Sequence, residues 1–415
     1  MFFANSSPRY SAPMNTKDEA MMFRGVNFKT PSGIIVNENT ALNLTAVYAA
    51  VTFISDVMGS LPCDVIRKEK NGDITPQDGH PVEEIMNHEI NDVMDAMNVR
   101  NLSQQGVLLR GNGYMEIERN GAGEVKAMWP LLPEVTYPSC DSSTGELFYR
   151  TIINKKNVEL DPSNVHHVMN NGPNGYEGWS QIRLHRDAMG LGLALQTFGA
   201  KFFANDAKSG GFFTHPAKLS DKARDNIKGS IKEQGGIENS HDVKVLEEGM
   251  KYVATTISPD DSQFLGSREF QIAEIARIYR IPLVLLQSME KTSSWGSGIE
   301  QLCQAFATFT LVPWCTRWEQ QSRRKLLSEK EKAAGFGIKL NLNALLRGDS
   351  AARAAFLKSA IETGWMNRNE ARRLENMNSV NGLDKFIVPA NMQVLGSQGT
   401  DQNQGGNNNN AKILP

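Results

Sequence analysis

Two long helical segments, separated by a compact unit of strands and a helix, leave few folds open to this 415-residue chain. Apolar residues recur at helical spacing through 178–206 and again through 258–281. Between these segments, residues 207–257 alternate between strand-like and helix-like patterns. The order predicts a small αβ unit inserted between two long helices.

Three glycines, Gly190, Gly192 and Gly199, lie inside the first helical segment. Glycine in a helix interior costs about 1 kcal/mol relative to alanine. We therefore expect this helix to pack closely against a neighbour. The second segment opens with capping signals, because Ser258 suits the N-cap and Pro259 the first helical position.

The chain before these helices predicts an α+β unit over residues 42–177. A helix broken by Gly59 is followed by the strand CDVIRK. The segments EIER and EVKAM flank a glycine-rich turn at 120–123 and predict a β-hairpin, with LFYRTII and NVHHVMN as further strands. Residues 1–41 show little periodicity and predict an extended arm.

A loop rich in serine and glycine, SMEKTSSWGSG, follows the second long helix. The next segment continues as a helix that Pro313 is expected to kink. Two shorter helices are predicted after residue 349, the second starting with a capping box from Asn367 to Glu370. The composition of residues 396–415 is typical of a disordered tail.

Composition narrows the class of protein. The formal net charge of −2 argues against a protein that coats nucleic acid by bulk attraction. No apolar run reaches the length of about 18 residues that a membrane-spanning helix needs, and the N-terminus lacks the features of a signal peptide. The four cysteines form no CxxC pair, which favours a reduced, intracellular setting.

The sequence contains none of the common catalytic or nucleotide-binding motifs HExxH, GxSxG, GxxxxGK[ST] and GxGxxG. His166 and His167 are adjacent on a predicted strand, where neighbouring side chains point to opposite faces, so we expect exposed imidazoles and no shared metal. The cluster at 323–325, Arg-Arg-Lys, is interpreted as a solvated helix end. We predict no catalytic residue, no metal and no cofactor.

Seven stretches occur in this order over residues 42–390: TAVYAAVTFISDVMGSLP, LLRGNGYMEIERNGAGEVKAMWPL, GYEGWSQI, VKVLEEGMKY, DSQFLGSREFQIAEIARIYRIPLVLL, FTLVP and GWMNRNEARRL. Together they resemble the portal proteins of tailed bacteriophages, particularly the lambda-like siphophage type. None is a catalytic signature, and their number and order make the resemblance specific. One departure is the family's usual Pro-Asn element, which is replaced here by MNHEINDVMDAMNVRNLSQQ, so the surface between His80 and Gln105 is not predicted.

The resemblance implies an α+β portal fold, with an α/β wing, two long stem helices, a small αβ clip, a tunnel loop with a kinked helix, and a short helical crown. The implied boundaries are 42–177 for the wing, 178–206 and 258–281 for the stem helices, 207–257 for the clip, 282–298 for the tunnel loop, 299–348 for the kinked helix and the return to the wing, and 349–395 for the crown.

The resemblance also implies a function. Such portals are rings, most often of twelve subunits, at one capsid vertex, through which the terminase packages double-stranded DNA that is later ejected. The implied partners are further copies of the chain, double-stranded DNA bound without sequence specificity, the terminase large subunit, a head–tail adaptor and the major capsid protein, with no membrane. The chain would be a virion protein, assembled in the host cytoplasm, and not an enzyme.

The tunnel loop would face the DNA, with Trp295 as a bulky contact to DNA or to the neighbouring loop, or else as a packing anchor. Candidate channel-lining cations are Arg268, Arg277 and Arg280. A ring repeats each of them, and duplex DNA carries one charge per about 1.7 Å, so a modest positive excess would let DNA slide. Residues 262–330 have nine Lys/Arg against six Asp/Glu. The loop residues implied are Lys291, Ser293, Ser294, Trp295, Gly296, Ser297 and Gly298.

Two alternatives remain at this point. An enzyme acting on nucleic acid would use residues 288–298 as a lid and would need a convergent metal or acid–base site. Another structural component of the virion, such as a capsid or adaptor protein, would have no use for the two stem helices.

Overall fold

A computed structural model of the chain describes residues 29–141, 144–204, 211–214, 251–254, 261–286, 297–342, 350–375 and 377–387, and the two isolated positions 221 and 225. The chain divides into two units, Met1–Leu342 and Asn343–Pro415. Within the described ranges, no helix has the length and apolar character that crossing a membrane requires.

In its described residues, the first unit combines helices with small antiparallel sheets. Its helices are α1 (Glu38–Ala41), α2 (Thr45–Ser60), α3 (Pro81–Asn87), α4 (Ala96–Arg110), α5 (Gln181–Leu184), α6 (Arg186–Ala204), α7 (Asp261–Tyr279), α8 (Ser297–Phe306), α9 (Val312–Leu326) and α10 (Glu329–Ala333). Its strands are β1 (Cys63–Lys68), β2 (Ile74–Pro76), β3 (Asn112–Arg119), β4 (Val125–Leu131), β5 (Tyr137–Cys140), β6 (Leu147–Ile153), β7 (Lys156–Leu160), β8 (Val165–Met169), β9 (Gly211–Thr214), β10 (Lys251–Ala254) and β11 (Phe336–Leu340). The strands pair in the orders β11–β1–β2, β4–β3–β8, β5–β6–β7 and β9–β10.

The main core lies around α2 and α4, which pack against each other. Helix α2 buries Val47, Val51, Ile54 and Met58, the apolar series whose spacing predicts the helix. The strand CDVIRK and the hairpin of β3 and β4 occur where the sequence predicts them. In the hairpin turn, Oδ1 of Asn120 accepts the backbone N–H groups of residues 122 and 124, both at 3.0 Å.

Arg100 of α4 is a buried cation whose partners are backbone carbonyls. Its guanidinium donates to the carbonyls of Met58, Leu61 and Met86 at 2.9, 2.8 and 3.1 Å. These carbonyls lie at the C-terminal ends of α2 and α3, where backbone oxygens lack helical partners and the helix dipole favours positive charge. Arg100 therefore joins the C-terminal ends of two helices to the beginning of a third.

The expectation of an extended arm over residues 1–41 is wrong at its end, because residues 38–41 form α1; residues 1–28 lie outside the described part. Asn37 and Thr40 form a capping box that starts this turn. Glu38 is buried and pairs with Arg183 at 3.0 Å and Arg110 at 3.5 Å. Two cations on neighbouring helices thus hold the segment to the body, a contact that periodicity does not reveal.

The first long helical segment starts later than predicted and is interrupted. Helix α5 begins at residue 181, and a break at His185 separates it from α6. Ser180 caps α5, since its Oγ accepts the N–H of Arg183 at 3.2 Å and donates to the carbonyl of Leu109 at 2.6 Å. This tie to the end of α4 keeps the preceding residues out of the helix.

The two long helices lie against each other, and glycines of the first helix approach their neighbours closely. A Cβ on Gly192 of α6 would lie 3.1 Å from Cγ of Gln271 on α7, and one on Gly190 would lie 2.6 Å from Oγ1 of Thr30. The amide Nε2 of Gln271 donates to the carbonyl of Ala188 at 2.7 Å. The prediction of close packing is confirmed at these two glycines. Ser258 and Pro259, the predicted capping residues, lie outside the described part.

The inserted unit at 207–257 is described only in part. Strands β9 and β10 pair with each other in antiparallel fashion. They lie in two segments with the strand-like pattern, GGFFTH and DVKVLEEGMKYVATTI. The predicted helix between them lies almost entirely outside the described residues.

The second unit is described over residues 350–375 and 377–387. It contains α11 (Ser350–Glu362) and α12 (Arg368–Leu374), which bury Ala360, Met366 and Ala371 between them. The predicted capping box is confirmed. The side chain of Glu370 accepts the backbone N–H of Asn367 at 2.8 Å, and the side chain of Asn367 accepts the backbone N–H of Glu370 at 2.9 Å.

Candidate functional site

Most of the predicted tunnel loop lies outside the described residues. This is true of Lys291, Ser293, Ser294, Trp295 and Gly296. The chain turns through a short 3-10 helix at Leu283–Leu286 before the gap. After the gap, Ser297 and Gly298 are the first two residues of α8, so the loop ends before them.

The chain leaves α7 through a strained turn at Arg280. The N–H of Ile281 bonds the carbonyl of Ala276 at 2.9 Å, the 6→1 bond of a Schellman motif. Arg280 occupies the left-handed position of this motif with φ of 56°, where glycine is usual. Its carbonyl accepts a hydrogen bond of 2.6 Å from Oγ1 of Thr310. A bulky cation is therefore held in a backbone conformation that costs about 1–2 kcal/mol.

The predicted kink at Pro313 takes the form of a π-helical turn at Ala307–Leu311, between α8 and α9. The N–H of Val312 bonds the carbonyl of Ala307 in place of the usual fourth residue back. Proline lacks an N–H and its ring collides with the carbonyl four residues earlier, so widening this turn relieves the collision. The turn leaves the Phe309 side chain 70% exposed.

The end of α7, the π-helical turn and the start of α9 enclose a cleft of about 420 Å³. Three arginines line it: Arg277, Arg280 and Arg317. We call it the arginine cleft. Its other walls come from the ends of α4 and β8 and from the start of α6, and its aromatic lining comes from Trp314, Phe309 and Tyr279.

Arg317 is fixed in the cleft by neutral partners. It donates to the carbonyl of Met169 at 3.1 Å and to the Oδ1 atoms of Asn170 and Asn171 at 3.3 and 2.6 Å. Its guanidinium lies 4.7 Å from the ring centre of Trp314, a cation–π contact. Burial, followed by the nearby charge of Arg280, lowers the pKa of Arg317. The side chain is half-buried and preorganised without a carboxylate.

The structure brings two of the three predicted cations together and leaves the third apart. Arg277 and Arg280 line the cleft, and Arg277 has a long ion pair of 3.8 Å to Glu274. Arg268 is exposed on α7, about 13 Å along the helix from Arg277. The sequence analysis missed Arg317, whose only local signal is its spacing of three from Trp314, the spacing at which helical side chains meet.

Comparison with known proteins identifies the family. The family model described as phage portal protein matches residues 45–376, most of the chain. The chain belongs to the phage portal protein family. The portal protein of Enterobacteria phage HK97 is 31% identical over 369 residues, which cover 88% of this chain and 86% of the relative. The probable portal protein of Streptomyces phage phiC31 is 30% identical over 388 residues, covering 88% and 82%.

Solved structures agree on the fold. An HK97 family phage portal protein from Corynebacterium diphtheriae aligns with a TM-score of 0.57 at 14% identity, over 76% of this chain and 99% of that one. The neck of an empty gene transfer agent particle, computed with C6 symmetry, aligns with a TM-score of 0.55 at 16% identity, over 91% of this chain and 98% of that one. The α+β portal fold predicted from the sequence is confirmed.

Two of the portal motifs meet at one point in the structure. The first, LLRGNGY, ends α4 and starts β3, and the second, GYEGWSQI, precedes α5. Oδ1 of Asn112 accepts the N–H of Gly178 at 2.8 Å, and its Nδ2 donates to the carbonyl of Gly178 at 3.0 Å. The carbonyl of Gly111 accepts the N–H of Asn170 at 2.8 Å. We call this the glycine junction; it fixes the start of the first long helix against the sheet β4–β3–β8.

The expectation of exposed imidazoles at His166 and His167 is wrong, because both side chains are buried. They do point to opposite faces of β8. Nε2 of His167 lies 3.0 Å from Oδ1 of Asn112, and its Nδ1 lies 3.1 Å from the Tyr149 hydroxyl. Nε2 of His166 lies 3.0 Å from Oγ of Ser322. The strand is covered on both faces, by β6 and by α9, which an alternating pattern alone does not predict.

Both histidines are held neutral by their surroundings. Burial lowers the pKa of His166 and of His167 to about 3. The bond from the N–H of Gly178 identifies Oδ1 of Asn112 as the amide oxygen, which can only accept hydrogen bonds. His167 therefore donates to it from Nε2 and accepts the Tyr149 hydroxyl proton at Nδ1. Among the described residues, no three His, Cys, Asp or Glu side chains form a group that could hold a metal.

The helix end at residues 323–325 is solvated only in part. Arg323 and Arg324 are exposed, as predicted, whereas Lys325 donates to the carbonyl of Pro162. Burial lowers the pKa of Lys325 to about 8. This lysine takes part in the packing of α9 against the segment that leads into β8.

Proposed function

We propose that this portal protein assembles with identical copies into a ring of twelve at one capsid vertex. The match of the portal family over residues 45–376 is the observation that supports the proposal most. The neck of a native gene transfer agent particle, computed with C12 symmetry, is similar in fold, with a TM-score of 0.53 over 88% of this chain. In the proposed ring, double-stranded DNA enters under the terminase, is retained, and later leaves through the tail.

The parts of the chain have separate proposed roles. Residues 42–177 form the wing, 178–206 and 258–281 the stem helices, and 207–257 the clip, which contacts the terminase large subunit and then the head–tail adaptor. The crown is 349–395, and the major capsid protein surrounds the wing. Portal proteins are structural, and we propose that this chain has no catalytic activity and assembles in the host cytoplasm before it enters the virion.

The ring is tested by electron microscopy of the purified full-length protein, with averaging of end-on views. Rings of about twelve subunits with an open centre would support the proposal. Monomers or closed twofold dimers would contradict it. Nuclease and ATPase assays with Mg²⁺ test the absence of catalysis, for which we expect background rates.

Replacing Trp295 is expected to impair DNA handling and to leave assembly intact, because we propose that this loop residue faces the channel. In Trp295→Ala phage, the fraction of capsids that retain a full genome should fall about tenfold, equivalent to about 1.4 kcal/mol on retention. Trp295→Phe keeps an aromatic ring and should retain most of the function. Loss of rings in Trp295→Ala would instead show that the indole is a packing anchor.

A further inference from the structure

A rigid acidic loop projects from the wing just before α4. Asn91 is buried and organises it, since its Oδ1 accepts the N–H groups of Val93 and Met94 at 3.0 and 2.8 Å. Its Nδ2 donates to the carbonyl of Met128 at 2.9 Å. The loop lies in the segment where the sequence departs from the usual portal pattern. Its shape is set by these bonds, so it can act as a preformed contact.

The tip of this loop is apolar and its flanks are acidic. Val93 is 75% exposed, the largest exposed fraction among the large apolar side chains of the described residues, and Met94 is 39% exposed. Glu89, Asp92 and Asp95 lie in the same loop and are exposed. We call residues 89–95 the acidic knob. An apolar tip with a rim of charge is typical of a protein contact.

The arginine cleft has the complementary character. Its three arginines are opposed by one carboxylate of the lining, that of Glu274, and no ion pair to Arg280 or Arg317 is formed by residues that the structure describes. Arg280 occupies a left-handed position, where glycine would relieve the backbone strain. Strain of this kind that persists in a fold points to a function for the side chain. The rim also carries the exposed ring of Phe309.

The knob and the cleft lie at opposite ends of one helix. Asp95 is the N-cap of α4, and Leu108, near the end of the same helix, lines the cleft. Thirteen residues of α-helix span about 20 Å. Two different, complementary surfaces separated by a rigid element suit a head-to-tail contact, which repeats around a closed ring.

We propose that the acidic knob of one subunit docks into the arginine cleft of the next subunit in the ring. The inference rests on the proposed ring and adds the residues that join its members. The guanidinium groups would bind the carboxylates of Glu89 and Asp92, and Val93 would pack on Phe309. A protruding loop fits a concave cleft, whereas a DNA duplex presents its phosphates on a convex surface. Protein carboxylates are therefore the favoured ligands over DNA phosphates.

Cysteine cross-linking tests the contact directly. Full-length protein with Cys303→Ser carries Val93→Cys and Phe309→Cys together, and a short bismaleimide is added to the assembled protein. We expect a ladder of covalent multimers that extends to the full ring. Val93→Cys paired with Ile152→Cys is the control, since Ile152 is exposed on β6, outside the cleft lining. It should give no ladder.

Arg280→Gly removes the charge of the cleft arginine while the backbone conformation is kept. Glycine accepts the left-handed conformation, so the monomer should be as stable as the parent or more so. The concentration at which half of the protein is in rings should rise at least about tenfold. Arg268→Ala removes an exposed arginine from the same helix and should leave assembly unchanged.

Each outcome decides the inference. The proposed contact is wrong if the wild-type protein forms rings, the cysteine pair gives no cross-linked ladder and Arg280→Gly assembles as the parent does. The proposed ring would not be affected by that result. Intact Arg280→Gly rings that retain less DNA would assign the cleft to phosphate and also overturn it. A wild-type protein that forms no rings would overturn both the contact and the proposed function.

Discussion

Gly111→Ala is expected to lower the free energy of unfolding by about 4 kcal/mol or more, a loss large enough to prevent folding. Gly111 has φ of 86°, and an added Cβ would lie 2.3 Å from the carbonyl oxygen of Gly178 and 2.5 Å from the carbonyl carbon of Trp179. These atoms belong to backbone that is tied by the Asn112 bonds, so they cannot move aside cheaply. The change combines left-handed strain with a collision at the glycine junction.

Gly123→Ala is the matched control. Gly123 has nearly the same backbone angle, φ of 84°, but nothing lies within 4 Å of an added Cβ. The free energy of unfolding of Gly123→Ala should fall only by the cost of the left-handed backbone conformation, about 1 kcal/mol. Urea unfolding of both variants, with the yield of soluble protein, measures the difference. Equal losses in the two variants would show that the junction yields and that close approach is not why Gly111 is needed.

The glycine junction explains why two separate portal motifs are rich in glycine and asparagine. Each motif alone predicts only a turn. Together they bring two backbones closer than any side chain permits, with Asn112 as the bridge between them. The result is a fixed direction for the helices that begin at residue 181.

Most helices and strands of the described residues follow from local patterns. The capping box at Asn367, the hairpin around residue 120 and the strand at residue 63 each have a local cause, so the sequence predicts their position. The close packing of Gly190 and Gly192 was also predictable, because glycine inside a helix needs a reason. The assignment of wing, stem, clip and crown came from the resemblance to portals rather than from periodicity.

The predictions failed where a distant contact decides the outcome. Glu38 holds α1 through arginines far away in sequence, and α9 covers a strand that alternation presents as half-exposed. Arg317 becomes part of the candidate site only because the π-helical turn and the end of α7 face it. Such residues carry no local signal beyond their type, so only the tertiary structure identifies them.

The arginine cleft lies next to the start of the predicted tunnel loop. The chain enters the loop just after Arg280 and leaves it into α8, and the π-helical turn that follows α8 supplies Phe309 and Thr310 to the cleft. The bond from Thr310 to the Arg280 carbonyl ties the two sides together. A subunit contact in the cleft would therefore affect the start of the loop. Changes in how the subunits pack in the ring would alter the position of the loop through Arg280.

Lowering the pH from 7 to 5 is expected to lower the free energy of unfolding by about 4 kcal/mol, because two buried histidines stay neutral in the fold. Burial lowers the pKa of His166 and His167 to about 3, whereas an unfolded histidine has a pKa of about 6.5. Below pH 6.5 the unfolded state therefore binds protons that the folded state does not. The stability is fully present above pH 6.5 and falls with pH toward 3, by about 2 kcal/mol for each histidine at pH 5.

Urea unfolding at pH 7, 6 and 5 measures this loss, and variants assign it. His166→Gln and His167→Asn each remove one titrating group, so each should halve the difference between pH 7 and pH 5, whatever its own cost at pH 7. His88→Asn removes an exposed imidazole and should leave the difference unchanged. Burial raises the pKa of Asp64, Glu83 and Glu116, which acts in the opposite direction and is common to all variants. If both buried-histidine variants keep the full difference in the free energy of unfolding between pH 7 and pH 5, other groups cause the acid sensitivity. That result would mean that β8 opens to water at pH 5.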